Sequence, residues 1–287
     1  MTLRFAITAT DRYLSVFETL VDAGWQAVKL FTGVTDERLH HNKAVIKLAQ
    51  ALALPVQFSR IEEVDLQALR ELGCDVLVVA SYQWRIPEWQ PYLKYAINFH
   101  PSPLPLGRGP EPLAPAILSG EHYWGVSCHK LTPEFDAGDV LDEECFPIDE
   151  DECHERLDLK VQMAAKRLAM RVSHDFIPLW DHAKGQGPGT YFSHWNNGDR
   201  HLDFSLTVDE ILRCVRAFGT IETIAIIGDM TFYVRRAVGW KEIHSYQPGS
   251  LVFVSGLYMV VAVQDGYIGI VEWSLIDPDV AVGKIGR

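Results

Sequence analysis

Short apolar runs of strand character alternate with helix-periodic runs through the first eighty residues, and this alternation most constrains the fold. Residues 3–8 read as a strand. Leu14, Phe17, Leu20 and Val21 recur at helical spacing, and residues 27–31 form a second strand-like run. Val45, Leu48, Ala49 and Leu52 mark a second helix, and Val76–Ala80 is an unbroken apolar run of the kind buried on both faces. Strands separated by helices return in the same direction. The expected fold class is therefore α/β, a Rossmann-like, mostly parallel sheet with helices on both faces and its ligand crevice beyond the carboxyl ends of the strands. A long helix is expected over residues 152–174, with Leu157, Val161, Ala164 and Leu168 on one stripe, and Gly185-Gln186-Gly187-Pro188-Gly189 reads as a linker. After residue 200 the period changes. One helix, Val208–Phe218, precedes strand-like runs at Thr223–Ile227, 231–235, Leu251–Val254, 257–263 and 267–273, as in a small antiparallel barrel or sheet. The expected division is a domain over 1–184, a linker over 185–200 and a small β domain over 201–287.

Asn98-Phe99-His100 ends a short apolar run and opens a loop with prolines at 101, 103, 105, 110 and 112 and glycines at 107 and 109. In a strand of period two, Asn98 and His100 share one face while Phe99 takes the other, and the proline-restricted loop that follows holds the pair rigidly. Residues 125–131 read as a further strand, followed by the acidic turn Phe135-Asp136-Ala137-Gly138-Asp139. An amide can donate to a developing oxyanion, an imidazole can exchange a proton near neutral pH, and a carboxylate can orient that imidazole. Together they suit attack on a carbonyl. No serine or cysteine sits in a Gly-x-Ser-x-Gly elbow, which favours direct transfer to an incoming nucleophile over a covalent enzyme intermediate. Whether His100 or Asp136 is the formal base stays open at this level.

The stretch from Asn98 through Pro105, with Arg108-Gly109-Pro110, Pro112, Ala116-Ile117, Gly120, Gly125-Val126 and Asp136-Ala137-Gly138-Asp139, resembles the formyltransferase family that includes methionyl-tRNA and amino-sugar formyltransferases. The 38 residues from Asn98 to Asp136 match that family's spacing. His201-Leu202-Asp203-Phe204-Ser205 and Arg213-Cys214-Val215-Arg216-Ala217-Phe218 are similar to the start of its smaller C-terminal domain. The resemblance implies that Asn98, His100 and Asp136 are the catalytic residues and that 10-formyltetrahydrofolate is the formyl donor, with no metal. It implies an OB-like barrel at the C-terminus. It also implies a folate pocket formed by residues 81–87, with Arg85, Ile86 and Pro87 lining the pterin, and by the backbone around Phe135 and Asp139. Arg108 and Ser102 are the candidates for substrate contact, although an arginine in a glycine-rich loop equally serves to satisfy backbone carbonyls.

Charge bears on the acceptor. The chain carries a net charge of −12; residues 1–183 hold 17 basic and 27 acidic groups, a net of −10, and residues 184–287 hold 9 and 11, a net of −2. A tRNA enzyme holds phosphates with Lys and Arg, and neither half is basic, although Arg213, Arg216, Arg235, Arg236 and Lys241 could form a local patch. The stretch 31–38 also lacks the long basic insertion with which the tRNA enzymes of the family grip the acceptor stem. The expected activity is N-formylation of the primary amine of a small acceptor, a nucleotide-linked amino sugar or a modified amino acid. The alternatives are a methionyl-tRNA formyltransferase, a formyltetrahydrofolate hydrolase, and a non-catalytic folate- or partner-binding module. There is no Gly-x-Gly-x-x-Gly or Gly-Lys-Ser/Thr loop, so the expected sheet does not by itself imply NAD or ATP. Cys74, Cys128, Cys145, Cys153 and Cys214 form no Cys-x-x-Cys pair and are expected to be free thiols, and Cys145, Cys153 and His154 are read as no metal centre. The N-terminal run resembles neither a leader nor a membrane span, so a cytoplasmic protein with no membrane partner is expected, and a homodimer is left open.

Overall fold

The first apolar run folds as β1 (Arg4–Ala9), buried from Phe5 onward. A 3-10 turn leads into α1 (Leu14–Asp22), whose Val16, Phe17, Thr19 and Leu20 are buried. There follow β2 (Gln26–Phe31), α2 (Lys43–Ala51), the two-residue β3 (Val56–Gln57), α3 (Glu63–Glu71), β4 (Val76–Ala80) and β5 (Tyr95–His100). Parallel ladders join β3, β2, β1, β4 and β5. After α4 (Leu113–Leu118), β6 (Tyr123–Lys130) and β7 (Val140–Pro147) extend the sheet antiparallel, completing the order β3-β2-β1-β4-β5-β6-β7. The computed structural model describes residues 2–36 and 38–281. The result is the expected α/β architecture with a parallel-dominated sheet. Its strand order reverses between β1 and β4, which opens a crevice at the carboxyl ends of the parallel strands, the end at which β5 delivers Asn98 and His100.

Two helices were not legible from apolar periodicity. α3 buries only Leu66 and Leu69, and a capping box in which Glu62 and Asp65 exchange side-chain and backbone bonds starts it. α4 lies in the proline-rich stretch read as loop. Pro115 stands in its first turn, where the backbone N–H would have no intrahelical partner, so the proline is tolerated there. α2 begins where Asp11, in the 3-10 turn after β1, accepts the Ala44 and Val45 N–H groups at 2.9 Å each.

α5 (His154–Asp181) buries the expected stripe of Leu157, Val161, Ala164 and Leu168. It continues past residue 174 through a bend at Asp175 (φ −116°, ψ 29°), three residues before Pro178, whose ring cannot accommodate a straight helix. Phe176 and Trp180 beyond the bend make edge-on contacts with Tyr95 at centroid distances of 5.1 and 4.9 Å, which keep the chain helical.

The later segment holds α6 (Val208–Phe218), started by a Thr207/Glu210 capping box, and then β8 (Thr223–Ile227), β9 (Met230–Lys241), β10 (Leu251–Val254), β11 (Met259–Val263) and β12 (Gly266–Ser274). All the ladders are antiparallel, in the order β10-β11-β12-β9-β8. Val208, Ile211 and Val215 of α6 pack into one apolar cluster with Val234, Val261, Val263, Ile268 and Ile270 of the sheet. β9 runs well past the expected 231–235, because Arg235, Arg236, Gly239 and Lys241 sit on a strand whose outer face is exposed and whose apolar alternation is weak. The chain divides into two compact units. The first, with the seven-stranded sheet, is Met1–Gly109, Tyr123–Pro147 and Leu159–Phe192; the second, with the five-stranded sheet, is Pro110–His122, Ile148–Asp158 and Ser193–Arg287. No helix among the described residues is long and apolar enough to cross a membrane, and all five cysteines are free.

Candidate active site

β5 presents Asn98 and His100 on one face by strand period, and the antiparallel register with β6 sets His129 opposite Asn98 and Ser127 opposite His100. Asp136 reaches the same point from the turn between β6 and β7, in a left-handed conformation (φ 52°) that aspartate tolerates. One carboxylate oxygen collects the cluster. Asp136 Oδ1 lies 3.3 Å from Asn98 Nδ2, 3.5 Å from His100 Nδ1 and 3.5 Å from His129 Nε2, while Oδ2 accepts the Gly109 N–H at 2.9 Å. Asn98 Nδ2 also lies 3.1 Å from His129 Nε2.

The trio expected from the sequence is thus assembled, and the structure adds His129, which sequence reasoning missed. The signal was present, since in an antiparallel pairing of the two strands His129 falls across from Asn98, but that pairing partner is not legible from one strand alone.

The loop after β5 is held from inside. Trp124 of β6 is fully buried and its indole donates to the Pro101 carbonyl at 2.8 Å, while Ser127 Oγ donates to the Ser102 carbonyl and accepts the Leu104 N–H. Gly107 (φ 73°) then passes so close to Trp124 that a Cβ would sit 2.9 Å from the indole. Its carbonyl accepts from His100 Nε2 at 2.8 Å. A carbonyl can only accept, so the His100 proton resides on Nε2 and the lone pair of Nδ1 faces Asp136. Burial pushes His100 below the ordinary imidazole value of 6.5, against the raising influence of the Asp136 charge and the Gly107 carbonyl. Burial also works to raise the Asp136 carboxyl, but His129, the His100 charge and the Gly109 N–H outweigh it and hold it at about 2. At neutral pH the cluster is an ionised Asp136 beside a neutral His100, an arrangement able to take up one proton and stabilise it.

The remaining expected site residues divide. Arg85 is exposed, donates to the Pro133 carbonyl at 2.6 Å and stacks over the exposed Phe135 ring at 5.5 Å. Both line a cleft of about 480 Å³ with Arg108, Glu134 and Tyr191. Ile86 packs against the apolar cluster of Leu66, Leu77 and Trp89, and neither it nor Pro87 lines this cleft. Asp139 pairs with Lys130 at 3.6 Å. Arg108 donates to Gln186 Oε1 at 3.1 and 2.8 Å and to the Gly187 carbonyl at 3.1 Å, so its guanidinium serves the glycine-rich stretch while still facing the cleft. Gln186 in turn donates to the Asp136 and Gly138 carbonyls at 2.8 and 2.7 Å, tying that stretch to the turn that carries Asp136. Ser102, expected to touch substrate, is wholly buried beneath Gly107. Among the described residues no group is placed to hold a metal ion.

Comparison with known proteins agrees with the geometry. Residues 33–173 match the formyl transferase family. The methionyl-tRNA formyltransferase of Ehrlichia ruminantium (strain Welgevonden) is 34% identical over 165 residues, covering 57% of this chain and 53% of that protein, so the chain spans about half the length of this relative. The methionyl-tRNA formyltransferase of Coxiella burnetii (strain RSA 331 / Henzerling II) is 28% identical over 259 residues, covering 88% and 79%. In fold, the chain is similar to the N-formyltransferase from Helicobacter canadensis solved with folinic acid and dTDP-3-aminofucose, with a TM-score of 0.70 at 18% identity, covering 96% of this chain and all of that one. Residues 33–173, which contain the Asn98, His100 and Asp136 site, belong to the formyl transferase family.

Proposed function

We propose that this chain is an N-formyltransferase that moves a formyl group from 10-formyltetrahydrofolate to the primary amine of a small acceptor, a nucleotide-linked amino sugar or a modified amino acid. The observation that carries the reading is the meeting of Asn98, His100 and Asp136 on one carboxylate oxygen at the carboxyl end of β5. The donor supplies an activated formyl carbon. Asn98 offers an N–H to the oxygen that becomes an oxyanion as the amine nitrogen bonds to that carbon. His100 Nδ1 takes the proton the amine loses, and Asp136 stabilises the imidazolium formed. The bond from the formyl carbon to the folate nitrogen then breaks, and the proton on His100 goes to that leaving nitrogen. Asp136, held at about 2, is too weak a base for the first proton transfer near neutral pH, which supports His100 as the base.

The cleft beside Phe135 supports a folate or acceptor subsite, since Arg85 and Arg108 suit anionic groups and Phe135 and Tyr191 suit planar rings. Within this reading Arg85, Ile86 and Pro87 line the pterin with the backbone around Phe135 and Asp139, and Arg108 contacts the acceptor or the donor. The C-terminal antiparallel sheet is read as the small OB-like barrel of such enzymes, following a catalytic domain over 1–184, and the protein as cytoplasmic.

A second reading, methionyl-tRNA formylation, is favoured by the identity of the curated relatives, whereas the net charge of −12 favours the small amine. The test is release of tetrahydrofolate from 10-formyltetrahydrofolate with a panel of nucleotide-linked amino sugars, ornithine derivatives and methionyl-tRNA, beside a His100→Ala control. Turnover with a small amine, lost in the control, is expected. Salt-sensitive turnover with methionyl-tRNA alone would replace this reading with the second, amine-independent formate release would point to a hydrolase, and no turnover at all would point to a binding module.

A further inference from the structure

Residues 184–192 run as a strap against the loop after β5 and the turn that carries Asp136. At one end Lys184 and Val140 exchange backbone hydrogen bonds of 2.8 and 2.9 Å. At the other, the Thr190 N–H donates to the Pro105 carbonyl at 3.2 Å, the Thr190 carbonyl accepts the Arg108 N–H at 3.0 Å, and the Phe192 N–H donates to the Arg108 carbonyl at 2.7 Å. Thr190 Oγ1 also accepts the N–H of Gly107, the residue whose carbonyl orients His100, at 2.8 Å. Between these anchors lies the half-buried Gln186. Its Nε2 donates to the Asp136 and Gly138 carbonyls, and its Oε1 accepts from Arg108 Nε and Nη2. The partners fix which way this carboxamide faces, since carbonyls can only accept and a guanidinium can only donate. Two N–H groups and two lone pairs meet two acceptors and two donors, so a flipped amide would set donors against donors and acceptors against acceptors.

We infer that Gln186 is a positioning residue for formyl transfer: its amide nitrogen holds the Asp136 turn in place, and its oxygen holds the Arg108 guanidinium at the Phe135 cleft. The inference rests on the formyl-transfer reading for its kinetic consequence, while its geometric part stands without it. A ring of contacts closes through this side chain. Asp136 Oδ2 accepts the Gly109 N–H, Gly109 follows Arg108 in the chain, the Arg108 guanidinium reaches Gln186, and Gln186 returns to the Asp136 carbonyl. Asp136 sits in the left-handed region, which a residue with a side chain keeps where its surroundings enforce it, and Gln186 grips the carbonyls on both sides of Ala137. The acceptors that the Arg108 side chain meets, Gln186 Oε1 and the Gly187 carbonyl, are neutral, so its charge stays available to an anionic group of a substrate.

The experiment separates the two halves of the carboxamide. Gln186→Met keeps the length and removes both halves, Gln186→Lys keeps a donor for the two carbonyls, and Gln186→Glu keeps an acceptor for Arg108. Each is compared with the parent in kcat and in the KM values for 10-formyltetrahydrofolate and for the panel substrate that turns over. The Met variant is expected to lose about tenfold in kcat, through the loosened Asp136, and to gain about fivefold in one KM, through the released Arg108. Lys is expected to restore kcat and leave that KM raised, whereas Glu restores the KM and leaves kcat low, a crossed rescue that a merely structural role would not produce. A Met variant with parental kcat and KM, or the absence of either rescue, would overturn the assignment. Independently of turnover, the Gly109 amide, held by Asp136 Oδ2, should exchange with deuterium about fivefold faster in the Met variant than in the parent and near the parental rate in the Lys variant. Unchanged Gly109 exchange in the Met variant would overturn the geometric part. Should the parent protein transfer no formyl group, the formyl-transfer reading fails, and Gly109 exchange still decides whether Gln186 holds Asp136.

Discussion

Gly138 lies in the turn that carries Asp136, against the end of the strand that carries His129, and replacing it with alanine tests the whole arrangement. A Cβ added there would stand 2.8 Å from the Lys130 carbonyl carbon, closer still to its oxygen, and 3.1 Å from Thr132 Cγ2. Ordinary carbon–carbon contacts begin near about 3.5 Å, so the turn and the end of β6 must separate by on the order of 1 Å. The Lys130 carbonyl is the group that holds His129 Nδ1, and the Lys130 N–H donates to the Asp139 carbonyl at 2.9 Å, so the displacement falls on both sides of the Asn98, His100 and Asp136 cluster. Overpacking of this kind costs about 1–3 kcal/mol, and a misplacement of about 1 Å in a catalytic group costs on the order of 10²-fold in rate. Gly138→Ala should therefore lower the urea midpoint measurably and cut turnover about a hundredfold. Gly187→Ala is the control, since nothing lies within 4 Å of its added Cβ, and it should match the parent in both measurements. A Gly138→Ala protein with parental midpoint and parental rate would refute the close approach of the turn to β6 and, with it, the placement of Asp136.

His100→Ala should lose about 10²–10⁴-fold in kcat/KM with its fold intact by circular dichroism; retention of the parental rate would remove His100 from the chemistry. Because burial places His100 below 6.5, the acid limb of the parental kcat/KM profile should have its midpoint below 6.5, and a midpoint above that value would contradict the buried neutral imidazole. Asp136→Asn removes the charge that raises His100, so that midpoint should move lower still as the rate falls. For stability, His100 and Asp136 both have folded values depressed below their ordinary 6.5 and 3.8. Their contribution is complete above pH 6.5, begins to fall as pH drops below that, and vanishes through pH 2, where Asp136 finally protonates. Urea midpoints measured from pH 8 downward should hold and then decline below 6.5, and a rise on acidification would refute the assignment. Arg85→Ala should raise the KM for 10-formyltetrahydrofolate several-fold with kcat unchanged if the Phe135 cleft serves the donor; an unchanged KM would place the donor elsewhere.

The periods of apolar residues determined the alternating first half, the long helix and much of the small sheet, because β1, β2, β4, α1, α2, α6, β8 and β11 each bury a face whose spacing is written locally. Asn98 and His100 were legible as a pair for the same reason, and Asp136 through the resemblance carried by its turn. The structure decided the rest, because it depends on partners distant in the chain. α3 and α4 are set by caps and by a proline tolerated in a first turn rather than by periodicity. The full burial of Ser102 beneath Gly107, beside Trp124 of the adjoining strand, is likewise a tertiary result. His129 had no local mark at all. Only the register that sets it across from Asn98, and the Lys130 carbonyl that fixes its proton, make it part of the site, since hydrogen bonds between strands are properties of the sheet rather than of either strand.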